Sequence, residues 1–368
     1  KDAEEIAIDL ETRDPNLKSK GPGYVRGDGE TVGISIACDG YADYFPFSHE
    51  AGFNFPKKRV IDFIKEICAL PCDKIFHNAT YDVGWLHREG VTVKGRIIDT
   101  MIVAPLINEN MYWYTLNSLG QEYLQEGKSE AELRQAAEEW GVDPKAEMWR
   151  LPSAYVGTYA AQDAALTLKL WNHFKIHLED QNLWNIFNLE TDLFPALFNM
   201  KLTGVRVDLE RADGLKKQLV AKEQKLIKEV AKESGIKEVS IWAATSVAQV
   251  FDACKIPYNH TAKGAPSFTK GFLASQKHPV AQMIMKIREL NKAHSTFIDT
   301  IIKHEHNGRI HADIRQLKGE TGGTVTGRLS MSNPNLQQVP ARDKEIGPLI
   351  RSLFLPEEGQ KWCSADFS

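Results

Sequence analysis

The chain has 368 residues, enough for two or three domains with cores of their own. Its 42% hydrophobic and 26% charged residues are those of an ordinary soluble protein, and no apolar run reaches bilayer-spanning length, so no membrane partner is expected. The net charge of -4 hides an asymmetry: residues 1–200 sum to -12 and residues 201–368 to +8, a front suited to cations and a back suited to phosphates.

No secretory signal pattern opens the sequence, and five scattered cysteines (Cys38, Cys68, Cys72, Cys254, Cys363) lack metal-site spacing. Reduced thiols and a cytoplasmic location are expected. The first informative stretch is Glu5-Ile6-Ala7-Ile8-Asp9-Leu10-Glu11, which reads as a buried strand carrying two acids near its end. Side chains two apart share a face, so Asp9 and Glu11 repel one another and call for a cation, a divalent metal being the simplest. The alternative is a strand end open to solvent.

Gly21, Gly23, Gly27 and Gly29 lack the strand-to-helix setting of a nucleotide loop and read as a mobile loop. Alternating residues Thr31 to Cys38 and Tyr41 to Phe47 around Asp39-Gly40 predict an antiparallel hairpin. A helix follows over Lys57 to Leu70, a short strand over Lys74 to His77, a helix over Ala79 to Arg88, and a strand at Ile97-Ile98-Asp99. Further helices run to about Trp140, and a long one over Ser153 to His177, with Ser153 as its cap. The fold class is α/β, a mixed sheet covered by helices on both faces. Asn78 and Asp82 stand four apart at a helix start, and Tyr159 and Asp163 repeat that spacing on the long helix. Each pair alone suits a solvated face; with Asp9 and Glu11 they assemble four carboxylates and a tyrosine in one domain.

The second half predicts a helix over Asn182 to Leu202, a strand over Val205 to Asp208, and a Lys- and Glu-rich helix over Leu209 to Ser234 with Leu215, Leu219, Leu226, Ile227 and Val230 on one stripe. That helix fits a coiled coil or a lever over a ligand groove. Helices over Val247 to Phe251, Phe272 to Ser275 and Val280 to Ile302 precede a strand from Arg309 to Ile314. Thr326 to Pro340 is then a polar loop rich in Arg, Asn and Gln, with little to pack and much to offer a partner. The chain closes on the apolar stretch Trp362-Cys363-Ser364-Ala365-Asp366-Phe367.

Asp9-Leu10-Glu11, Asn78 through Asp82 and Tyr159 through Asp163 together resemble the three motifs of the DEDD exonuclease superfamily, tyrosine subtype, on a ribonuclease H-like fold. The resemblance implies two Mg²⁺ or Mn²⁺ ions, with Asp9 bridging both, Glu11 and Asp163 completing the first site and Asp82 holding the second. Tyr159 would orient the attacking water and Asn78 would touch the substrate strand. Oxygen-only ligands suit these ions better than zinc.

Thr326-Gly327-Arg328-Leu329-Ser330 with Asn333-Pro334-Asn335-Leu336-Gln337 resembles the TGRLS and NPNLQ signature of family A DNA polymerases. By that resemblance Arg328 senses the minor groove at the primer end, where every base pair offers an acceptor, and Asn335 and Gln337 are neighbouring DNA contacts. Asp366 matches the metal-binding Asp of the palm. The implied layout is an exonuclease domain at 1–183, a thumb-like helical region at 184–300 and the first part of an α+β palm at 301–368. The implied function is proofreading 3′-5′ exonuclease and front portion of a replicative DNA polymerase, acting on single-stranded 3′ ends and primer-template.

The fingers and the second palm carboxylate lie outside these 368 residues, and one carboxylate cannot hold two metals. A split polymerase completed by a second polypeptide, or a truncated fragment, is therefore expected ahead of an ancestral piece kept as an exonuclease. The compact front half looks like the phage branch, which would place the protein in the cytoplasm of a bacterial host. Two rivals remain: a stand-alone RNA exonuclease of the same superfamily, which gives the TGRLS stretch no role, and a non-catalytic DNA-clamping subunit, which gives the acids none.

Overall fold

The computed structural model describes residues 3–320, 322–341 and 343–365. They form two compact units: one runs to Gly204 and takes in His311–Asn335, the other holds Val205–Ile310 and the chain from Leu336 onward.

The first unit is built on a five-stranded mixed sheet. Its strands are β1 (Glu5–Arg13), β2 (Glu30–Cys38), β3 (Tyr41–Pro46), β4 (Asp73–Phe76) and β5 (Ile97–Asp99), in spatial order β3-β2-β1-β4-β5. β1, β2 and β3 pair antiparallel, β1, β4 and β5 parallel. Helices α1 (Leu17–Lys20), α2 (Lys57–Cys68), α3 (Ala79–Arg88), α4 (Thr100–Ile107), α5 (Leu116–Leu124), α6 (Ala131–Trp140), α7 (Ser153–Asp180) and α8 (Trp184–Thr203) complete it.

The period of two in β1 divides the unit into layers. Ile6, Ile8 and Leu10 point into a core shared with Ile61 and Ile64 of α2 and Val83 and Leu86 of α3. Ala7 points the other way, into a core with Leu170, Trp171 and Phe174 of α7. Each large side chain so buried contributes about 1.5–3 kcal/mol, which lets the strand tolerate acids on the Ala7 face. At the start of that face, Glu5 meets Trp171 Nε1 at 2.8 Å and Lys175 Nζ at 2.9 Å. Asp9 and Glu11 lie further along it.

β4 pairs with β1 only from Glu5 to Ala7, so Asp9 and Glu11 lie beyond the carboxyl end of their parallel neighbour. A crevice past the carboxyl ends of parallel strands is where α/β sheets place ligands. On the other side, Glu11 stands opposite Gly33, and the register shifts immediately after it. A Cβ on Gly33 would lie 2.1 Å from the Tyr44 hydroxyl oxygen, so the ring of Tyr44 requires a glycine there.

Several expectations need correction. Ser153 is the first residue of α7 rather than its cap; its hydroxyl donates to Phe53 O at 2.5 Å, and Pro152 precedes it with no side-chain cap. The glycine-rich loop is tied down instead of loose: Tyr24 is buried in the core, Arg26 donates to Lys20 O and Gly21 O, and Arg88 donates to Gly27 O. The expected strand from Arg309 to Ile314 divides into Arg309–Ile310 and Asp313–Arg315. The polar stretch 326–340 is not loop throughout, because Ser330–Ser332 pairs antiparallel with Asp313–Arg315 and Leu336–Gln338 forms a 3-10 turn.

That two-stranded ladder belongs to the first unit and is anchored there. The ammonium of Lys201, which is buried, pairs with Asp313, and Asn333 Nδ2 donates to the same carboxylate at 2.8 Å. Gln316 Nε2 donates to Glu190 at 2.6 Å, and Lys318 Nζ to Met111 O at 2.8 Å.

In the second unit, Leu209–Ser234 buries Leu215, Leu219 and Val230, with Leu226 and Ile227 half-buried, so the expected stripe faces a core. Ala244–Ala253, Lys270–Ser275 and Pro279–Lys292 pack with it. The helix expected over Val280 to Ile302 carries a π-helical stretch, Ala293–Ile298, before Asp299–His304. A four-stranded sheet brings together Phe354–Leu355, Val205–Val207, Arg309–Ile310 and Glu305–His306. The closing apolar stretch is irregular from Trp362 to Ala365, and Asp366 lies outside the described residues.

Candidate metal centre of the first unit

Asp9 and Glu11 come from β1, Tyr159 and Asp163 from one turn of α7, and Asp82 from the first turn of α3. The structure brings the first two acids and Asp163 together: each offers a carboxylate oxygen, and these three oxygens lie within 4.8 Å of one another. Asp163 is buried, whereas Asp9 and Glu11 are half-buried. Asp82 is buried beside them and accepts the Leu10 N–H at 3.2 Å, a bond across the end of β1.

Electrostatics make the cluster costly. Burial first, then the neighbouring Asp163, pushes the Asp9 carboxyl up to about 7, against a lowering by Lys128. Burial, Asp9 and Asp163 hold Glu11 well above the usual carboxylate range, and burial with Asp9 does the same to Asp82. Asp163 is raised by burial, opposed by Lys128. Burial and the nearby acids raise the Tyr159 phenol, so it stays a neutral hydroxyl.

Such a set holds its charge only with a cation among it, and otherwise takes up protons. The donor atoms are all oxygens, and Asp163 Oδ1 is buried with no hydrogen-bond partner among the described residues. Both features fit a hard divalent cation of the Mg²⁺ or Mn²⁺ type.

The remaining expected site residues are placed as follows. Asn78 caps α3 in the left-handed region at φ 71° and is half-buried, its N–H donating to Asp99 Oδ1 at 2.9 Å. Arg328 is exposed between the two strands of the ladder; Asn335 and Gln337 are exposed beyond it.

Three residues of the site carry no motif. Asp99, buried, accepts from the N–H groups of Asn78, Ala79 and Met101 at 2.8–2.9 Å and so fixes the start of α3. Burial, with the charges of Glu11 and Asp9, raises the Tyr44 phenol, and its hydroxyl is joined to His49 Nε2 at 2.8 Å; His49 Nδ1 faces Leu151 O at 2.9 Å. Lys128, between α5 and α6, donates to Asp163 and, at 3.1 Å, to the Tyr159 hydroxyl. In sequence, Lys128 is one lysine in an acidic loop, with nothing to distinguish it from a solvated charge.

A largely enclosed acid cluster at the carboxyl end of a mixed sheet, with a tyrosine one turn before its last acid, is a group that could hold a metal ion. Comparison with known proteins agrees. Residues 1–179 match the family described as 3′-5′ exonuclease, and residues 209–368 match DNA polymerase family A. The chain is 36% identical to a DNA-directed DNA polymerase of Pseudomonas phage M6, over all of this chain and 57% of that protein. It is 32% identical to DNA polymerase DpoZ of Salmonella phage PMBT28, over 98% of this chain and 59% of that protein. The fold resembles the POL domain of Pol1 from M. smegmatis, solved in complex with DNA primer-template and dNTP, with a TM-score of 0.73 and 20% identity over 97% of this chain and 56% of that one. This chain belongs to the family A DNA polymerases that carry a 3′-5′ exonuclease domain. It spans a little over half the length of these curated relatives. Among the described residues, no helix is long and apolar enough to cross a membrane.

Proposed function

We propose that the first unit hydrolyses DNA from the 3′ end, as the proofreading exonuclease of a DNA polymerase. The observation that carries this reading is the convergence of Asp9, Glu11 and Asp163 oxygens within 4.8 Å in the region that matches 3′-5′ exonucleases. Asp9, Glu11 and Asp163 would hold one divalent ion, with Asp9 and Asp82 holding a second. Bound there, the ions would make a nucleophile of water and neutralise charge on the attacking and leaving oxygens.

The protein's own groups do the rest. The Tyr159 hydroxyl orients the water whose oxygen attacks phosphorus. The phosphorus–O3′ bond breaks, and a nucleotide with a 5′-phosphate is released. Asn78, at the mouth of α3, contacts the strand being trimmed. Asp99 keeps that mouth in place by accepting three backbone N–H groups.

We assign primer-template contact to Arg328, Asn335 and Gln337. Their exposure is what a duplex-facing surface requires, and they lie in the region that matches DNA polymerase family A. The functional layout is an exonuclease at 1–183, a thumb at 184–300 and the palm from 301, with Asp366 as its metal ligand. Polymerisation would draw on the parts by which the relatives exceed this chain, in one polypeptide or in a second.

The test incubates the purified chain with Mg²⁺ and a labelled single-stranded DNA, beside an Asp9→Ala, Glu11→Ala double substitution and an RNA of the same sequence. Metal-dependent trimming of DNA from its 3′ end, lost in the double variant, is expected. Trimming of RNA in preference to DNA, or none by the unsubstituted chain, would overturn the reading.

A further inference from the structure

Among the described residues, a cation of the protein, Lys128, pairs with an acid of the site. Lys128 extends from the connection between α5 and α6, and its side chain is largely enclosed, with 17% of it exposed. The connection is aimed. The Lys128 N–H donates to Asn117 Oδ1 at 2.8 Å, the Ser129 N–H donates to Gln162 Oε1 at 3.1 Å, and Gln162 Nε2 donates to Gly127 O at 3.3 Å. Gln162 is the neighbour of Asp163 on α7, so the helix that carries the functional acid also holds the loop that carries the lysine. A lysine serving solubility alone would need none of this.

The ammonium is engaged with two groups assigned work in hydrolysis. It pairs with the Asp163 carboxylate and donates to the Tyr159 hydroxyl at 3.1 Å, and it also lies 5.1 Å from the centre of the Tyr159 ring. A divalent cation drawing on Asp163 competes for the carboxylate that the ammonium already holds. A hydroxyl accepting from Lys128 likewise has one acceptor position fewer for water.

We propose that Lys128 is an internal counter-cation exchanged for the divalent metal: the metal displaces its ammonium from Asp163, and the same movement releases the Tyr159 hydroxyl and loosens the 125–130 loop. The inference rests on the metal reading of the acid cluster. It makes Lys128 a positioning residue that acts through Asp163 and Tyr159, and it links metal occupancy to the order of a surface loop. Replacing one monovalent partner by a divalent one also brings the charge of the three converging acids closer to balance.

The test uses the full chain and Mn²⁺ alone, with binding read by electron paramagnetic resonance of the free ion and loop order by amide hydrogen exchange. Lys128→Gln is expected to bind Mn²⁺ about tenfold more tightly than the unsubstituted chain, and Lys128→Arg no more tightly. In the unsubstituted chain, Mn²⁺ is expected to accelerate exchange at residues 125–130, a readout that stands even if Lys128→Gln fails to fold. Equal Mn²⁺ affinity in the unsubstituted and Lys128→Gln chains overturns the inference and leaves the metal site in place. Tighter binding by Lys128→Gln with no change in loop exchange also overturns it, leaving charge repulsion without displacement. Absence of any Mn²⁺ binding sensitive to Asp9→Ala overturns the metal reading and this inference together.

Discussion

On the proposed reading, the acid cluster and the 326–340 stretch solve opposite problems. Asp82 and Asp163 are buried and Asp9 and Glu11 half-buried, acids whose positions are set by β1, α3 and α7, elements with cores of their own on both sides of the sheet. Arg328, Asn335 and Gln337 are exposed, and Ser330–Ser332 within their stretch pairs with Asp313–Arg315. A site for small ions must be preorganised inside the protein, at the cost of repulsion. A surface for a polyanion is completed by its partner, so it needs little internal support. The first should therefore couple function and stability in opposite directions, while the second should leave them independent.

The widest separation is expected at Asp9. Asp9→Asn should lower the rate of DNA trimming by roughly 10³-fold or more, while the thermal midpoint stays level or rises, because a carboxylate pushed up by burial and a neighbouring acid is removed. A midpoint that falls by several degrees, read by calorimetry, would mean that the acids support the fold. The contrasting case is Lys201, a buried charge that serves structure. Lys201→Met should destabilise the chain by about 3–5 kcal/mol in urea, since the Asp313 carboxylate loses its partner.

Tyr159→Phe sharpens the comparison from within the site. Loss of the hydroxyl should slow trimming by about 10–100-fold with Mn²⁺ affinity unchanged, which separates orientation of water from metal holding. The smallest stability effect belongs to the signature stretch. Arg328→Ala should change unfolding free energy by less than about 0.5 kcal/mol, yet weaken duplex binding by about 1–3 kcal/mol, measured by fluorescence anisotropy at fixed salt. If Arg328→Ala unfolds at markedly lower urea, the stretch is part of the scaffold and the contrast fails.

Much of this arrangement was legible in the sequence, for reasons that differ by residue. Asp9 and Glu11 stood out because acids violate the period of a buried strand, and Ala79–Arg88, Ile97–Asp99 and Leu209–Ser234 fell at the expected bounds because their apolar spacing is undiluted. What escaped was set by tertiary contact. Ser153 reads as a cap by residue type, but its hydroxyl is taken by Phe53 O. The glycine-rich loop reads as loose, but Tyr24 is inserted into the core. Lys128 and Asp99 gain their roles from partners 35 and 20–21 residues distant, beyond the reach of local periodicity.

The ladder of Asp313–Arg315 with Ser330–Ser332 has a consequence for synthesis. The first unit is discontinuous in the chain: it pauses at Gly204 and resumes at His311. Its front 200 residues leave the ribosome first and can assemble the sheet. The carboxylate that neutralises buried Lys201 arrives only with Asp313, more than a hundred residues later. During that interval the nascent unit carries an unpaired lysine at the foot of α8, and the whole of Val205–Ile310 is made before the partner appears. Translation speed through that intervening stretch should therefore bear on the yield of the domain before it, a dependence that stability measurements on the finished chain would miss.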